Sequence, residues 1–165
     1  MLFRSRELFH HGRWDEAIHE LERYLNMSNA PIPERAFAMR LLGKSYLNKN
    51  DFKKSHKWFL KATEEESGRR EGWIDLAKLL FHQNDFVACI DAIRNGLKDK
   101  NINTDWIYDN DCWGATPYDL AAQCFFHTND FDQAAKFGLK AVKMDSNNKR
   151  LKDNLKFYKS LCIKS

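Results

Sequence analysis

The stretch "KNDFKKS", residues 49–55, contains a tripeptide that recurs along the chain and determines the fold. Asn-Asp-Phe occurs at residues 50–52 and returns at residues 84–86 and 129–131. Asn tolerates the left-handed conformation that ends a helix, and Asp caps a following helix through its side-chain oxygen. Because each copy lies between segments with helical apolar spacing, it predicts the turn of a helix hairpin. Gly12-Arg13-Trp14 is a degenerate fourth copy of this turn.

The spacing of these turns indicates a repeat. From Trp14 to Phe52, Phe86 and Phe131 the steps are 38, 34 and 45 residues. A small residue follows three positions after each aromatic, where a bulkier side chain would hold the two helices apart. These small residues are Ala17, Ser55, Cys89 and Ala134.

A 34-residue helix-turn-helix period is that of the tetratricopeptide repeat, and residues 39–46 and 55–62 match its pattern of large and small side chains well. The sequence resembles this family over nearly its whole length, and the resemblance implies an all-α, right-handed superhelical solenoid. We expect a single domain over residues 1–165, with Phe59, Trp73, Leu76 and Ile93 in its core. The expected parts are repeats at approximately 1–28, 34–67, 69–99 and 114–146, an inserted loop at 100–113 and a capping helix at 147–163.

A narrower resemblance rests on four stretches, residues 70–97, 113–126, 129–142 and 147–158. They are similar to the tetratricopeptide region that follows the catalytic domain in many bacterial and phage family-2 glycosyltransferases. This resemblance implies a non-catalytic accessory region that mediates protein contact or self-association. Two alternatives stay open: part of an active glycosyltransferase that contacts acceptor or donor, and a free-standing adaptor.

Nothing in the sequence predicts a catalytic residue, a cofactor or a metal site within this chain. Family-2 enzymes need an α/β nucleotide-sugar domain with an Asp-x-Asp motif, and the chain has neither strand-helix alternation nor a Gly-rich phosphate loop. It does contain Asp109-Asn110-Asp111. Because we expect this triplet in a loop between helices, we interpret it as a solvated loop. The parent protein of such a chain could still be a glycosyltransferase.

One face of the predicted inner helices is basic. Equivalent positions in successive repeats carry Arg6, Lys44, Lys78 and Gln123, and Arg40 lies one turn before Lys44. Such a groove favours carboxylates or phosphates. Two interpretations stay open: a solvated helix face, which we favour, and a groove for an acidic peptide or a phosphate-bearing partner.

Four aromatic residues cluster in or beside the expected loop, where they could anchor a partner or fold back over the repeat junction. We favour the second interpretation, because four exposed rings would form a large apolar patch. These residues are Trp106, Tyr108, Trp113 and Tyr118.

Charge and cysteine content limit the remaining options. Residues 136–165 contain nine Lys or Arg and two Asp or Glu, a net charge of +7. The aromatic residues of this basic end, Phe137, Phe157 and Tyr158, are not spread among the cations as a row for base stacking, so nucleic acid is a poor candidate partner. The four cysteines are widely spaced and form no ligand motif, which suggests reduced thiols in the cytoplasm. No apolar run is long enough to span a membrane.

Overall fold

The computed structural model describes residues 1–27, 29–102 and 105–162, and all of its regular elements are helices. The helices form antiparallel hairpins joined by short turns, followed by one further helix. Their bounds are α1 Leu2–His10, α2 Trp14–Leu25, α3 Ile32–Asn48, α4 Phe52–Glu65, α5 Arg70–His82, α6 Phe86–Gly96, α7 Asn110–Trp113, α8 Thr116–His127, α9 Phe131–Met144 and α10 Lys149–Cys162.

The predicted role of the Asn-Asp-Phe turn is confirmed. Asn50, Asn84 and Asn129 have φ angles of 59°, 60° and 60°, the left-handed conformation that reverses the chain after a helix. The Asp residue that follows each of them accepts a hydrogen bond at its side chain from a backbone N–H in the next helix. In the fourth turn, Gly12 has a φ of 72°.

The small residues after these turns allow the paired helices to pack closely. All four are fully buried. The hydroxyl of Ser55 donates to the carbonyl oxygen of Gly43 over 2.9 Å, and the thiol of Cys89 donates to the carbonyl oxygen of Ala77 over 3.2 Å. These bonds satisfy the polar atoms that close packing takes out of water.

The hairpins stack so that their first helices, α1, α3, α5 and α8, contact one another in succession. We call the surface formed by these four helices the inner face. The last helix, α10, packs on α9 through Leu151, Leu155 and Tyr158, all of which are buried.

One expected core residue lies elsewhere. Phe59, Leu76 and Ile93 are buried as expected, but Trp73 is only half-buried. Its indole N–H donates to the carbonyl oxygen of Ser67 over 2.8 Å, and the neighbouring Ile74 fills the core instead. The indole therefore lies near the edge of the hairpin junction, where its polar end can reach a loop carbonyl.

Contacts between aromatic rings join consecutive hairpins. The ring of Phe52 lies 5.2 Å from that of His82, and the ring of Phe86 lies 4.3 Å from that of His127 in a nearly parallel stack. Each pair joins the first residue of an outer helix to the last residue of the next inner helix. The Phe of the turn motif therefore contributes to packing between repeats.

Candidate functional site: an acidic strap across the inner face

Residues 105–113 cross the inner face, and we call them the strap. A loop was expected over residues 100–113, but the last four strap residues form the short helix α7. The side chain of Asp109 caps this helix by accepting a hydrogen bond from the backbone N–H of Asp111. The Asp-x-Asp triplet therefore lies at the start of an ordered helix, with Asp109 half-buried and Asn110 and Asp111 exposed, which corrects its interpretation as a loop.

The centre of the site is a buried ion pair between inner helices α3 and α5. Arg40 is only 3% exposed, and its Nε lies 2.6 Å from Oδ2 of Asp75. Burial lowers the pKa of the Arg40 guanidinium, but the charge and hydrogen bond of Asp75, together with other nearby negative groups, raise the pKa above its ordinary value. Burial likewise raises the pKa of Asp75, but Arg40 and Lys44 bring it below its usual range. Both groups therefore remain charged at neutral pH.

The strap supplies further carboxylates to the cations of the inner face. Oδ2 of Asp109 lies 3.3 Å from Nη2 of Arg40 and 3.4 Å from Nζ of Lys44. Lys44 also lies 3.2 Å from Oδ1 of Asp75, so it bridges the buried pair and the strap. Lys78 donates a hydrogen bond to Asp111.

Lys78 and Asp111 shift one another's titration in the directions expected for an ion pair. Burial lowers the pKa of the Lys78 ammonium, but the hydrogen bond to Asp111 and the nearby negative charges together raise it above its ordinary value. Burial raises the pKa of Asp111, but the hydrogen bond from Lys78 contributes to a net lowering. Each group therefore stabilises the charged form of the other.

The first residues of the strap are fixed by a second ion pair and by apolar contacts. Arg69 binds Asp105 with two hydrogen bonds of 3.0 and 2.8 Å. Ile107 is buried in the core cluster of the first two hairpins. The Trp106 ring stacks on Phe3 at 5.2 Å and meets the Phe37 ring edge-on at 5.4 Å. The strap thus reaches α1, although it follows the third hairpin in the chain.

The aromatic residues of this region divide into two groups. Trp113 is buried, its indole N–H donates to Glu71 over 3.1 Å, and the Arg70 guanidinium lies 3.7 Å from the centre of its ring. Tyr108 and Tyr118 are half-buried, whereas Trp106 remains 40% exposed. Trp113 therefore shields a repeat junction, and Trp106 leaves an accessible ring at the inner face.

A cavity of about 260 Å³ lies beside the strap. Residues of α1, α3 and the strap line it, including Arg6, Phe37, Arg40, Lys44, Trp106 and Asp109. Arg6 is half-buried and makes no ion pair among the residues that the structure describes. The cavity thus combines an available guanidinium with an apolar wall.

The structure alters the basic groove expected from sequence. Arg40, Lys44 and Lys78 are bound to carboxylates of the same chain, so they do not form an open row of cations. Gln123 donates to Asp119 over 3.0 Å, and Asp119 also accepts from Arg150 of α10 over 2.8 Å. Of the five predicted groove residues, Arg6, Arg40 and Lys44 share one cavity, and Gln123 belongs to a separate polar cluster.

Ligand atoms of Asp75, Asp109 and Cys112 lie within 4.8 Å of one another, a spacing that could hold a metal ion. The two carboxylates are already neutralised by Arg40 and Lys44. Burial and the charge of Asp75 raise the pKa of the Cys112 thiol, which disfavours the thiolate that a metal binds. We therefore interpret this group as an ion-pair network.

Comparison with known proteins agrees with this architecture. Residues 4–69 match the sequence profile of the tetratricopeptide repeat family. The fold is a tetratricopeptide-repeat solenoid. A structure of MamA superposes with a TM-score of 0.75 at 16% identity, over 95% of this chain and 78% of MamA.

Two further solved structures have a similar fold. PilF from Pseudomonas aeruginosa gives a TM-score of 0.69 at 16% identity over 95% of this chain, which spans 63% of the PilF chain. The first tetratricopeptide domain of Spaghetti (RPAP3), solved with the HSP90 peptide SRMEEVD, gives a TM-score of 0.65 at 13% identity, over 79% of this chain and 94% of its own. At these identities the likeness establishes the fold alone. No curated protein sequence matches the chain.

Within the part of the chain that the structure describes, no helix is both long and apolar enough to cross a membrane.

Proposed function

We propose that this chain is a non-catalytic protein-binding scaffold whose inner face recognises a segment with carboxylates beside an aromatic or branched apolar side chain. The observation that carries the proposal is the strap itself. Its sequence, Asp105-Trp106-Ile107-Tyr108-Asp109-Asn110-Asp111, places carboxylates on Arg69, Arg40, Lys44 and Lys78 and places Ile107 in the apolar core. The inner face is therefore complementary to acidic-apolar peptide chemistry.

The cavity beside the strap offers a place for such a segment. Arg6 would receive a carboxylate, because its guanidinium is only half-buried and can bind both carboxylate oxygens. Phe37 and Trp106 would contact an apolar side chain. The RPAP3 domain was solved with the HSP90 peptide SRMEEVD, which supports an acidic peptide as the ligand of a solenoid of this fold.

The test uses a peptide with the sequence DWIYDND and a counterpart in which all three Asp are replaced by Asn. Calorimetry at low salt should give a micromolar Kd for the acidic peptide and much weaker binding of the amide peptide. Salt should weaken the interaction, because exposed charges are screened over about 8–10 Å.

Two arginines of α1 provide matched variants. Arg6→Ala should weaken peptide binding at least about threefold, a change of ~0.7 kcal/mol. Arg4→Ala removes the same charge from an exposed position that does not line the cavity, and it should leave the affinity unchanged. The peptides are measured on the wild type and on a form in which Asp109 and Asp111 are replaced by Asn. The proposal fails if the acidic peptide binds no better than the amide peptide to both forms.

We further propose that this scaffold accompanies a family-2 glycosyltransferase catalytic domain. The support is the sequence resemblance of residues 70–97, 113–126, 129–142 and 147–158. The coding sequence on either side of this chain tests the idea, since an adjoining α/β domain with its own Asp-x-Asp motif would support it. An adjoining sequence that encodes no such domain would favour an adaptor. The free thiols of Cys89, Cys112 and Cys124 suit a cytoplasmic location.

A further inference from the structure

We propose that Asp109 and Asp111 are a built-in competitor for the inner face, and that Lys44 and Lys78 accept a partner segment carrying two carboxylates two residues apart. This inference rests on the proposed function and adds the regulation of the same site. The strap carboxylates form ion pairs with the same cations that an incoming acidic segment would bind.

The carboxylates can leave without displacement of the strap backbone. Ile107 and Cys112, on either side of the Asp109-to-Asp111 segment, are buried and anchor the strap. The Asp111 side chain is 52% exposed and the Asp109 side chain is 29% exposed. A rotation of these two side chains toward solvent would break the Asp109 cap of α7 and the hydrogen bond from Thr116 to Asp111. It would free Lys78 and would leave Lys44 with Asp75 as its one remaining partner, while the backbone stays in place.

Lys44 and Lys78 are the accessible cations of the network. Their side chains are 29% and 34% exposed, whereas that of Arg40 is only 4% exposed and stays bound to Asp75. The two lysines lie on successive inner helices, α3 and α5, and each meets one member of the Asp-x-Asp triplet. A partner must reproduce this arrangement, which is why two carboxylates with one residue between them fit best.

A tethered carboxylate competes more strongly than a free one. An attached segment has an effective concentration in the millimolar range. A partner that binds in the micromolar range must therefore compete with the carboxylates of Asp109 and Asp111, which are always nearby. The strap thus lowers the apparent affinity of the inner face for the partner. Any change that neutralises Asp109 and Asp111 should raise that affinity.

Fluorescence anisotropy with labelled DWIYDND tests the inference on three forms of the full chain. The first is the wild type, the second is Asp109→Asn with Asp111→Asn, and the third is Asp91→Asn with Asp153→Asn. The third form removes two exposed carboxylates on α6 and α10 and is matched in net charge to the second. The Asp109→Asn/Asp111→Asn form should bind the peptide about tenfold more tightly than the wild type, and the matched form should bind within about twofold of it.

Further substitutions locate the effect. Adding Lys44→Gln and Lys78→Gln to the Asp109→Asn/Asp111→Asn form should abolish the gain, because the freed cations are then absent. If the double Asn variant fails to fold, as judged by circular dichroism, Asp111→Asn alone should still give about a threefold gain.

The outcomes separate the two proposals. Equal affinities of the wild type and the strap variant would overturn the competition while leaving the binding function intact. A gain of the same size in the matched Asp91→Asn/Asp153→Asn form would also overturn it, since net charge alone would then account for the gain. Absence of specific binding to every form would overturn the binding function itself.

Discussion

Gly43 and Phe59 fit one another across the hairpin of α3 and α4, because a Cβ atom at Gly43 would lie 2.5 Å from the Phe59 ring. Phe59 is 1% exposed and is enclosed by the core, so the ring has little room to move. Glycine inside a helix costs about 1 kcal/mol relative to alanine. The contact with Phe59 explains why the helix nevertheless has glycine here.

Gly43→Ala should therefore lower the free energy of unfolding by about 1–3 kcal/mol, as expected when an extra carbon is forced into a packed core. Urea unfolding of the full chain measures this change. Gly68→Ala is the control, because a Cβ at that position has no heavy atom within 4 Å, and it should be neutral or slightly stabilising. A stabilised Gly43→Ala protein would show that the ring can move aside.

Phe59→Ala should cost about 3–5 kcal/mol in urea unfolding, the usual range for a buried aromatic residue. Phe157→Ala provides a comparison at a ring that is 51% exposed on α10, and it should cost less than about 1 kcal/mol. A cost below about 1 kcal/mol for Phe59→Ala would contradict its central place between the helices.

Asn84→Ala should destabilise the chain by about 1–2 kcal/mol, because alanine is strained at the left-handed φ of this turn. Asn84→Gly is the matched variant, since glycine adopts this conformation without strain, and it should leave stability nearly unchanged. Thermal and urea unfolding of the two variants measure the difference. Equal losses would indicate that the Asn side chain, rather than backbone strain, is responsible.

Arg40→Met should cost about 3–5 kcal/mol, because it leaves the buried Asp75 carboxylate without its guanidinium partner. Adding Asp75→Asn should recover part of this loss, since the unpaired charge is removed with it. The two variants and Asp75→Asn alone form a double-mutant cycle in urea unfolding. Losses that simply add would show that the two side chains are not coupled.

Acid should weaken the strap through Asp105. Hydrogen bonds from Arg69 hold the pKa of the Asp105 carboxyl below its usual value. A carboxyl whose pKa is lower in the folded state stabilises the fold above its unfolded pKa of about 3.9, and this contribution is lost as the pH falls through the folded pKa. Asp105→Asn should therefore reduce the loss of thermal stability below about pH 4.

Asp153→Asn is the control for this experiment, because Asp153 is exposed on α10. Its melting temperature should follow that of the wild type across the same pH range. An unchanged acid profile in Asp105→Asn would show that the Arg69 pair contributes no pH-dependent stability.

The turns could be predicted from sequence because they depend on local chemistry. Asn50, Asn84 and Asn129 reverse the chain through their own backbone conformations, and the Asp after each binds an amide three residues away. The burial of Ser55 and Cys89 followed from the same register. These features need no information from distant parts of the chain.

The strap could not be predicted in the same way, because its partners are distant in sequence. Asp109 meets Arg40 and Lys44 across 69 and 65 positions, and no periodic pattern connects them. The expectation that Trp73 lies in the core was wrong for a related reason. The repeat pattern marks a large side chain at that position, but it does not show that Ser67 offers a carbonyl oxygen near the edge of the junction.

The strap also has a consequence for how the chain folds. A solenoid ordinarily folds as a row of units that interact only with their neighbours, so its ends can unravel independently. Here Trp106 contacts Phe3 of the first helix, and Ile107 lies in the core of the first two hairpins. These contacts join parts of the chain about 100 residues apart, and forming them requires the hairpins between to be ordered, which slows folding. The same contacts couple the opening of the first helix to the release of the strap. Amide hydrogens of α1 should therefore exchange with solvent at the same rate as those of residues 105–113. Local unfolding of the first helix should then destabilise the strap, although the second hairpin lies between them.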